Sequence, residues 1–396
     1  MRPTPDGASL PPLVAPAPGL EPEEIDRYSR HILLPEIGVA GQRRLKNARV
    51  LVIGGGGLGS PILLYLAAAG VGTLGIVDDD VVEASNLQRQ IVHGVDDIGR
   101  LKIDSARDAV TAVNPRVTVR THPLRLSRES ATGLFEEYDV IVDGTDNFAT
   151  RYLVSDAATV TGKPCVWGSI LRFQSQVSVF WSTRGPTYRD LYPDAPPPES
   201  APSCGEAGVF GALCGVAGSM MAAEAIKLIT GTGRTLLGRL ATFDLADATW
   251  REFTVAPDPD RHPDPYSDRG ARAVTGDRFP EDSCGDQDPE AALIDVEALS
   301  NALGERSSSG APFELLDVRE ADEYARGHIS GARSTPLSRL RAAGPGFVAL
   351  PDDRPIIVYC KAGPRARAAA ALLLAAGHPD VRVLAGGFDR WALQSH

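Results

Sequence analysis

The chain has 396 residues, 43% of them hydrophobic, and a formal net charge of -11 at pH 7. That length predicts two or three domains, and the acidic balance argues against a general nucleic-acid binder. Five cysteines, at 165, 204, 214, 284 and 360, show neither disulfide density nor short paired spacing, which favours a reducing, cytoplasmic setting.

Residues 1–20 hold six prolines and no charged segment leading into an apolar one, so they read as a disordered tail and not as a signal peptide. Next, Arg27-Tyr28-Ser29-Arg30 is expected in a short helix, with its two arginines at i, i+3 on one face. By itself a solvated helix face accounts for that pattern. A second helix near 41–47 leads into Val50-Leu51-Val52-Ile53, an apolar β-branched run that reads as a strand. Gly54, Gly55, Gly56, Gly57 and Gly59 follow at once, then a helical stretch from Pro61 to Ala69, then a strand, Leu74 to Val77, ending in Asp78, Asp79 and Asp80. Gly54, Gly56 and Gly59 fit G-x-G-x-x-G between strand and helix, with an acid about 20 residues on. Such a turn lets backbone approach phosphate at a helix N-terminus. It predicts a nucleotide and leaves the reaction open, with NAD as the default.

Asn86, Arg89 and Lys102 come just past that second strand, and Lys102 opens a helix to about Val113. Val117 to Arg120 and Asp139 to Asp143 are further strands, the latter running into Gly144-Thr145-Asp146-Asn147. Alternating strand and helix implies an α/β, largely parallel, doubly wound sheet whose ligands sit beyond the strands' carboxyl ends. Basic groups at this point suit a triphosphate better than a dinucleotide. Asp146 and Asn147 are candidates to hold Mg²⁺ against it. Residues 182–203 read as an irregular crossover loop too polar for core, Val209 to Ile229 as a long internal helix, and 240–255 as a closing pair of strands. No run of 18 strongly apolar residues is present, so no membrane partner is expected.

Residues 257–290 are rich in Pro, Asp, Gly and Arg and read as a linker. A smaller α/β pattern fills 291–396. In it Cys360 directly follows the strand Ile356 to Tyr359, and Lys361-Ala362-Gly363-Pro364-Arg365 connects it to a helix. A tight loop at a helix N-terminus, with Lys361, Arg365 and Arg367 nearby, suits an anionic sulfur. A buried inert thiol is the plain alternative.

Leu316 to Glu320, Glu323-Tyr324, Gly327-His328-Ile329, the six-residue loop from Cys360 to Arg365 and Gly386-Gly387-Phe388 together resemble a rhodanese domain. That resemblance implies a persulfide on Cys360, and the loop length disfavours the related phosphatases. Arg27-x-x-Arg30, Gly54 to Gly59, Asn86-Leu87-Gln88-Arg89, Lys102 and Thr145-Asp146-Asn147 resemble the MoeB/ThiF adenylyltransferases, relatives of the ubiquitin-activating enzymes, over 21–256. The resemblance implies that the glycine turn (with Gly55 and Gly57), Asn86, Arg89 and Lys102 hold the phosphates of ATP. It implies Asp78 at the ribose with Asp80 close by, Asp146 on Mg²⁺, and Arg30 reaching the site of the other subunit of a homodimer. It also implies a small ubiquitin-like sulfur carrier ending in Gly-Gly as partner, with a cysteine desulfurase or thiosulfate as sulfur donor.

In related enzymes a cysteine at the place of Cys204 takes part in acyl transfer; a structural loop cysteine is the alternative. Cys165 and Cys214 read as core. Many relatives carry zinc on two C-x-x-C pairs, but here Thr187 and Asp190 occupy the first pair's positions and Glu281 and Cys284 the second's, so zinc is expected to be absent. The expected function is ATP-dependent adenylation of the carrier's C-terminal glycine, followed by sulfur transfer from Cys360. An enzyme that only adenylates, with the second domain as a docking or regulatory module, is the alternative.

Overall fold

The computed structural model describes residues 10–194, 208–259, 292–309, 313–343, 350, 354–361 and 363–394. The chain forms two units, 1–279 and 280–396. In the first, eight strands make one sheet: β1 (Arg49–Ile53), β2 (Thr73–Val77), β3 (Thr118–His122), β4 (Val140–Asp143), β5 (Cys165–Leu171), β6 (Gln174–Phe180), β7 (Arg239–Asp244) and β8 (Thr249–Thr254). Their order is β3-β2-β1-β4-β5-β6-β7-β8. The first five are parallel, and β5 to β8 pair antiparallel. The winding reverses between β1 and β4, so the crevice beyond their carboxyl ends is the ligand position for this topology.

From Val50 to Ile53 β1 is apolar because both faces of the sheet are covered there. Val50 and Val52 face one core with Ile62, Leu63 and Leu66 of helix Gly59–Ala68 and Leu213, Ala217 and Met221 of helix Gly211–Thr230. Leu51 and Ile53, on the alternate face, pack with Phe135, Val154 and Ala157 of helices Arg128–Glu136 and Phe148–Thr161. Helix Gly211–Thr230 is long and apolar enough to cross a membrane by length and composition alone, yet its apolar residues are the centre of this core.

Three expectations are corrected. The tail reading of residues 1–20 fails from Leu10 onward: Leu10, Val14 and Ala17 are buried, and the Leu13 amide donates to the Leu228 carbonyl. Spaced apolar residues among the prolines gave that segment a packing face. Residues 182–194 are not too polar for core. The short helix Tyr188–Leu191 inserts Tyr188 among Tyr152, Trp167, Phe180 and Tyr192, and Arg189 makes a bidentate pair with Asp156 at 2.7 and 2.8 Å. Arg27 and Arg30 do not share one helix, because Tyr28 separates Pro22–Arg27 from Ser29–Ile32.

In the second unit five parallel strands run β11-β10-β12-β13-β9. They are β9 (Ala292–Ile294), β10 (Glu314–Asp317), β11 (Arg333–Ser334), β12 (Ile356–Tyr359) and β13 (Val381–Leu384). β9 and β11, at the edges, are too short to stand out in the sequence. β12 is central and buried on both faces: Ile356 and Val358 pack with Leu373 on one side, Ile357 and Tyr359 with Leu315 and Leu384 on the other. Most of the expected linker, from residue 260, lies outside the described residues.

Candidate functional sites

The glycine turn after β1 is closed most tightly at Gly57 and Gly59, where a side chain would clash. Gly54 has φ +90°, and a Cβ on Gly59 would lie 1.9 Å from the Gly54 carbonyl oxygen. The helix therefore starts directly on the turn, with its first amides beside it. From β2, Asp78 reaches across: its Oδ2 accepts from the Gly55 amide at 2.7 Å and its Oδ1 from the Asp80 amide at 2.9 Å. Lys102, buried at 7% exposure, donates to Asp80 Oδ2 at 2.6 Å. Gly55, Asp78, Asp80 and Lys102 thus form one hydrogen-bonded chain. Burial pushes the Asp78 carboxyl up, opposed by the Lys102 charge and the two amides. The carboxylate oxygens of Asp78, Asp79 and Asp80 lie within 4.8 Å of one another.

Asn86 is buried at the end of the turn Ala84–Asn86, where its Oδ1 accepts from the Glu83 amide at 3.2 Å. The half-buried Arg89 donates to the Ser85 carbonyl, and its Cγ would lie 3.5 Å from a Cβ on Gly57. Gly57 also abuts Cys214, which is core as expected, as is Cys165. Asp146 is exposed beyond β4 and accepts no hydrogen bond among the described residues, leaving its oxygens available to a cation. Asn147 is differently employed: it caps helix Phe148–Thr161, with Oδ1 accepting from the Thr150 amide at 2.8 Å.

Arg27 donates to the carbonyl of Val113 and to Asn114 Oδ1, so it caps the end of helix Lys102–Val113. Arg30 is exposed and has no side-chain partner among the described residues; it lines an open cleft of about 460 Å³ with His31, Tyr65 and Ser219. Sequence reasoning missed Gln90 and His93. Gln90 is buried beside Gly56, with its Oε1 unpartnered among the described residues. Such a buried orphan is a candidate ligand contact. Neither residue carries a local signal, since each gains meaning only by lying against the turn.

In the second unit Cys360 directly follows β12 and is 1% exposed. Its Sγ accepts from the Gly363 amide at 3.0 Å, so the loop does turn an N–H onto the sulfur. The loop is held from behind. The Phe388 amide donates to the Cys360 carbonyl at 2.8 Å and the Asp389 amide to the Lys361 carbonyl at 3.0 Å. A Cβ on Gly387 would lie 2.5 Å from both carbonyl oxygens, so only glycine fits there. Phe388 is in turn covered by the Arg319 guanidinium, 4.1 Å from its ring, which Asp317 grips in a buried pair. Lys361 is exposed; Pro364 and Arg365 begin helix Pro364–Ala375; Ala362, Cys204, Glu281 and Cys284 lie outside the described residues.

Arg365 is not simply a cation for the sulfur. It pairs with Glu323 at 2.6 and 2.8 Å and holds that carboxyl down to about 2 from an ordinary 4.5. Because the folded value lies below the unfolded one, the pair's contribution to stability is complete above about pH 4.5 and is lost as pH falls toward 2. Wild type should therefore exceed Glu323→Gln in thermal stability of this unit at pH 7, with the gap closing over that acid window. A gap that does not change with pH would overturn the ion-pair account.

The ThiF family model matches residues 28–263, and the rhodanese-like domain model matches 295–394. The chain belongs to the ThiF family and carries a rhodanese-like domain. It is 51% identical over 392 residues to the probable adenylyltransferase/sulfurtransferase MoeZ of Mycobacterium tuberculosis, covering 98% of this chain and 97% of that one. Its first unit is similar to the sulfur carrier protein adenylyltransferase of Thermus thermophilus, at 46% identity over 282 residues, 70% of this chain and 97% of that one. The adenylyltransferase and sulfurtransferase MOCS3 of Culex quinquefasciatus is 37% identical, covering 94% of this chain and 88% of its own. Among solved structures, Escherichia coli MccB with ATP shares the fold at TM-score 0.52 and 20% identity, over 59% of this chain and 73% of that one. Membership of the ThiF family, with relatives named adenylyltransferases, implies ATP and not NAD as the nucleotide used.

Proposed function

We propose that the chain uses ATP to adenylate the C-terminal glycine of a small ubiquitin-like sulfur-carrier protein and then converts it to a thiocarboxylate. The observation that carries this reading is the pairing, on one chain, of the Gly55–Asp78–Asp80–Lys102 constellation with the backbone-cradled Cys360. A carboxylate resists nucleophiles until it has a leaving group. Attack of the carrier carboxylate on the α-phosphorus releases pyrophosphate and gives an acyl-adenylate whose leaving group is AMP. Catalysis of that step is mainly positioning and charge screening of the nucleotide, the work of the glycine turn, Asn86, Arg89 and Lys102. Asp146 fits a Mg²⁺ ion, which would supply part of that screening.

Cys360 takes sulfur from a cysteine desulfurase or thiosulfate as a persulfide. Its terminal sulfur displaces AMP and gives an acyl disulfide with the carrier. A second thiolate, for which Cys204 is the candidate, attacks the Cys360 sulfur. The thiocarboxylate leaves, and the protein disulfide so formed is reduced by a cellular thiol. Carriage of both activities on one chain raises the effective concentration of the persulfide. Arg30, exposed and without a side-chain partner among the described residues, is proposed to reach the nucleotide site of a second copy in a homodimer. The setting is cytoplasmic, and the carrier belongs to molybdenum cofactor or related sulfur-metabolite synthesis.

No zinc is required. Asp190 commits one carboxylate oxygen to the Thr187 amide at 2.6 Å and the other to the Asp258 amide at 2.9 Å. Hydrogen bonds therefore tie the crossover segment to the chain after β8. Purified protein should contain well below one zinc per chain by elemental analysis; one equivalent would sink this part. The function as a whole is tested by mixing the protein, candidate Gly-Gly carriers, MgATP and a persulfide donor and following AMP, pyrophosphate and carrier mass. ATP turnover that is indifferent to every carrier would refute it.

A further inference from the structure

We propose that His93 is a positioning residue that fixes the glycine turn for ATP. The inference rests on the reading of that turn as the ATP site and adds a residue outside its motifs. His93 is 7% exposed, and both ring nitrogens are engaged: Nε2 lies 3.1 Å from the Gly55 carbonyl oxygen and Nδ1 2.8 Å from Ser105 Oγ. A carbonyl only accepts, so Nε2 carries a proton. Ser105 Oγ can donate to Nδ1 or accept from it, so the neutral ring that fits this geometry is the Nε2-protonated tautomer. Burial, with Lys102 nearby, also favours the neutral ring, against a smaller opposing pull from Asp97 and the Gly55 carbonyl.

The Gly55 residue is consequently gripped at both ends, its N–H by Asp78 and its carbonyl by His93. Consecutive glycines have the widest backbone freedom of any sequence, and this grip removes it where it matters. The peptide unit is planar and trans, so aiming the Gly55 carbonyl at the imidazole turns the Gly56 N–H to the opposite side. That amide takes part in no backbone hydrogen bond among the described residues and is available to a phosphate oxygen. Ser105 sits one turn beyond Lys102 on the same helix. The imidazole is therefore a strut between the two elements that meet the triphosphate.

The test is calorimetric titration of the full-length protein with ATP and Mg²⁺. His93→Asn keeps a polar group near the Nδ1 position and loses the Nε2 donor; His93→Gln places an amide N–H near Nε2. The Asn variant should weaken ATP binding about tenfold at unchanged stoichiometry, and the Gln variant should recover to within about threefold of wild type. A merely structural role would instead lower the stoichiometry at unchanged Kd, and that result overturns the proposal. So does an Asn variant that binds like wild type, or a Gln variant no better than Asn. If His93→Asn does not fold, Ser105→Ala, which keeps the ring but unpins its tautomer, must weaken binding about threefold; unchanged binding there overturns it equally. Failure of the wild type to bind ATP would overturn the nucleotide reading of the turn, and the role of His93 with it.

Discussion

Cys360→Ala is expected to stop thiocarboxylate formation from a persulfide donor, by at least about a thousandfold, while carrier-dependent pyrophosphate exchange continues at the wild-type rate. The size follows from the chemistry: alanine has no atom on which to carry sulfur, so the step has no substitute nucleophile at that place. The selectivity follows from the fold. Cys360 packs within the 280–396 unit, whereas Gly55, Asp78, Asp80 and Lys102 bond to one another within the 1–279 unit. The thiol is small and its loss leaves the backbone bonds from Phe388 and Asp389 in place. The carrier's mass reports the outcome directly, as replacement of one oxygen by sulfur. Thiocarboxylate at the wild-type rate would remove the rhodanese-like unit as the source of sulfur. Loss of exchange as well would show that adenylation depends on Cys360, contrary to the division of labour proposed here.

Asp146→Ala is expected to abolish exchange itself, by roughly a hundredfold to a thousandfold. Asp146 is exposed and accepts no hydrogen bond among the described residues, so its removal disturbs no packing and the loss reads on the nucleotide. Lys102→Ala should give a similar loss by a different route. Lys102 is buried and balances Asp78 and Asp80, so the variant brings an anionic nucleotide to a site with two uncompensated carboxylates. Asn147→Ala separates cap from ligand: a helix cap costs about 1 kcal/mol of stability and leaves exchange in place. Undiminished exchange in Asp146→Ala would sink the assignment of the ATP site.

The legible parts of this protein were the ones carried by short-range pattern. β1 and its glycine turn, the acids ending β2, and the Cys360 loop after β12 are each a few consecutive residues whose spacing follows strand or helix geometry. The closing strands β7 and β8 and the long helix were legible for the same reason. Tyr188 was not, because its neighbours in sequence are Pro, Thr, Arg and Asp and only aromatic residues from three other segments make the position core. Arg365 was legible as a cation but not as a paired one. Glu323 lies 42 positions away in the chain and meets it only when the 280–396 unit is folded.

By itself the sequence pointed to a nucleotide site after β1 and to a sulfur-carrying cysteine after β12, and showed which families those two motifs resemble. Local backbone geometry suffices for that, since strand, glycine turn and helix N-terminus follow one another within a few residues. Only the tertiary structure decided how each group is employed. It assigned Arg27 to a helix end and left Arg30 exposed, turned Asn147 into a cap, neutralised Arg365 with Glu323, and set His93 between Gly55 and Ser105. A polar side chain's role is fixed by the partner it meets on burial, and those partners come from segments that the chain brings together only on folding.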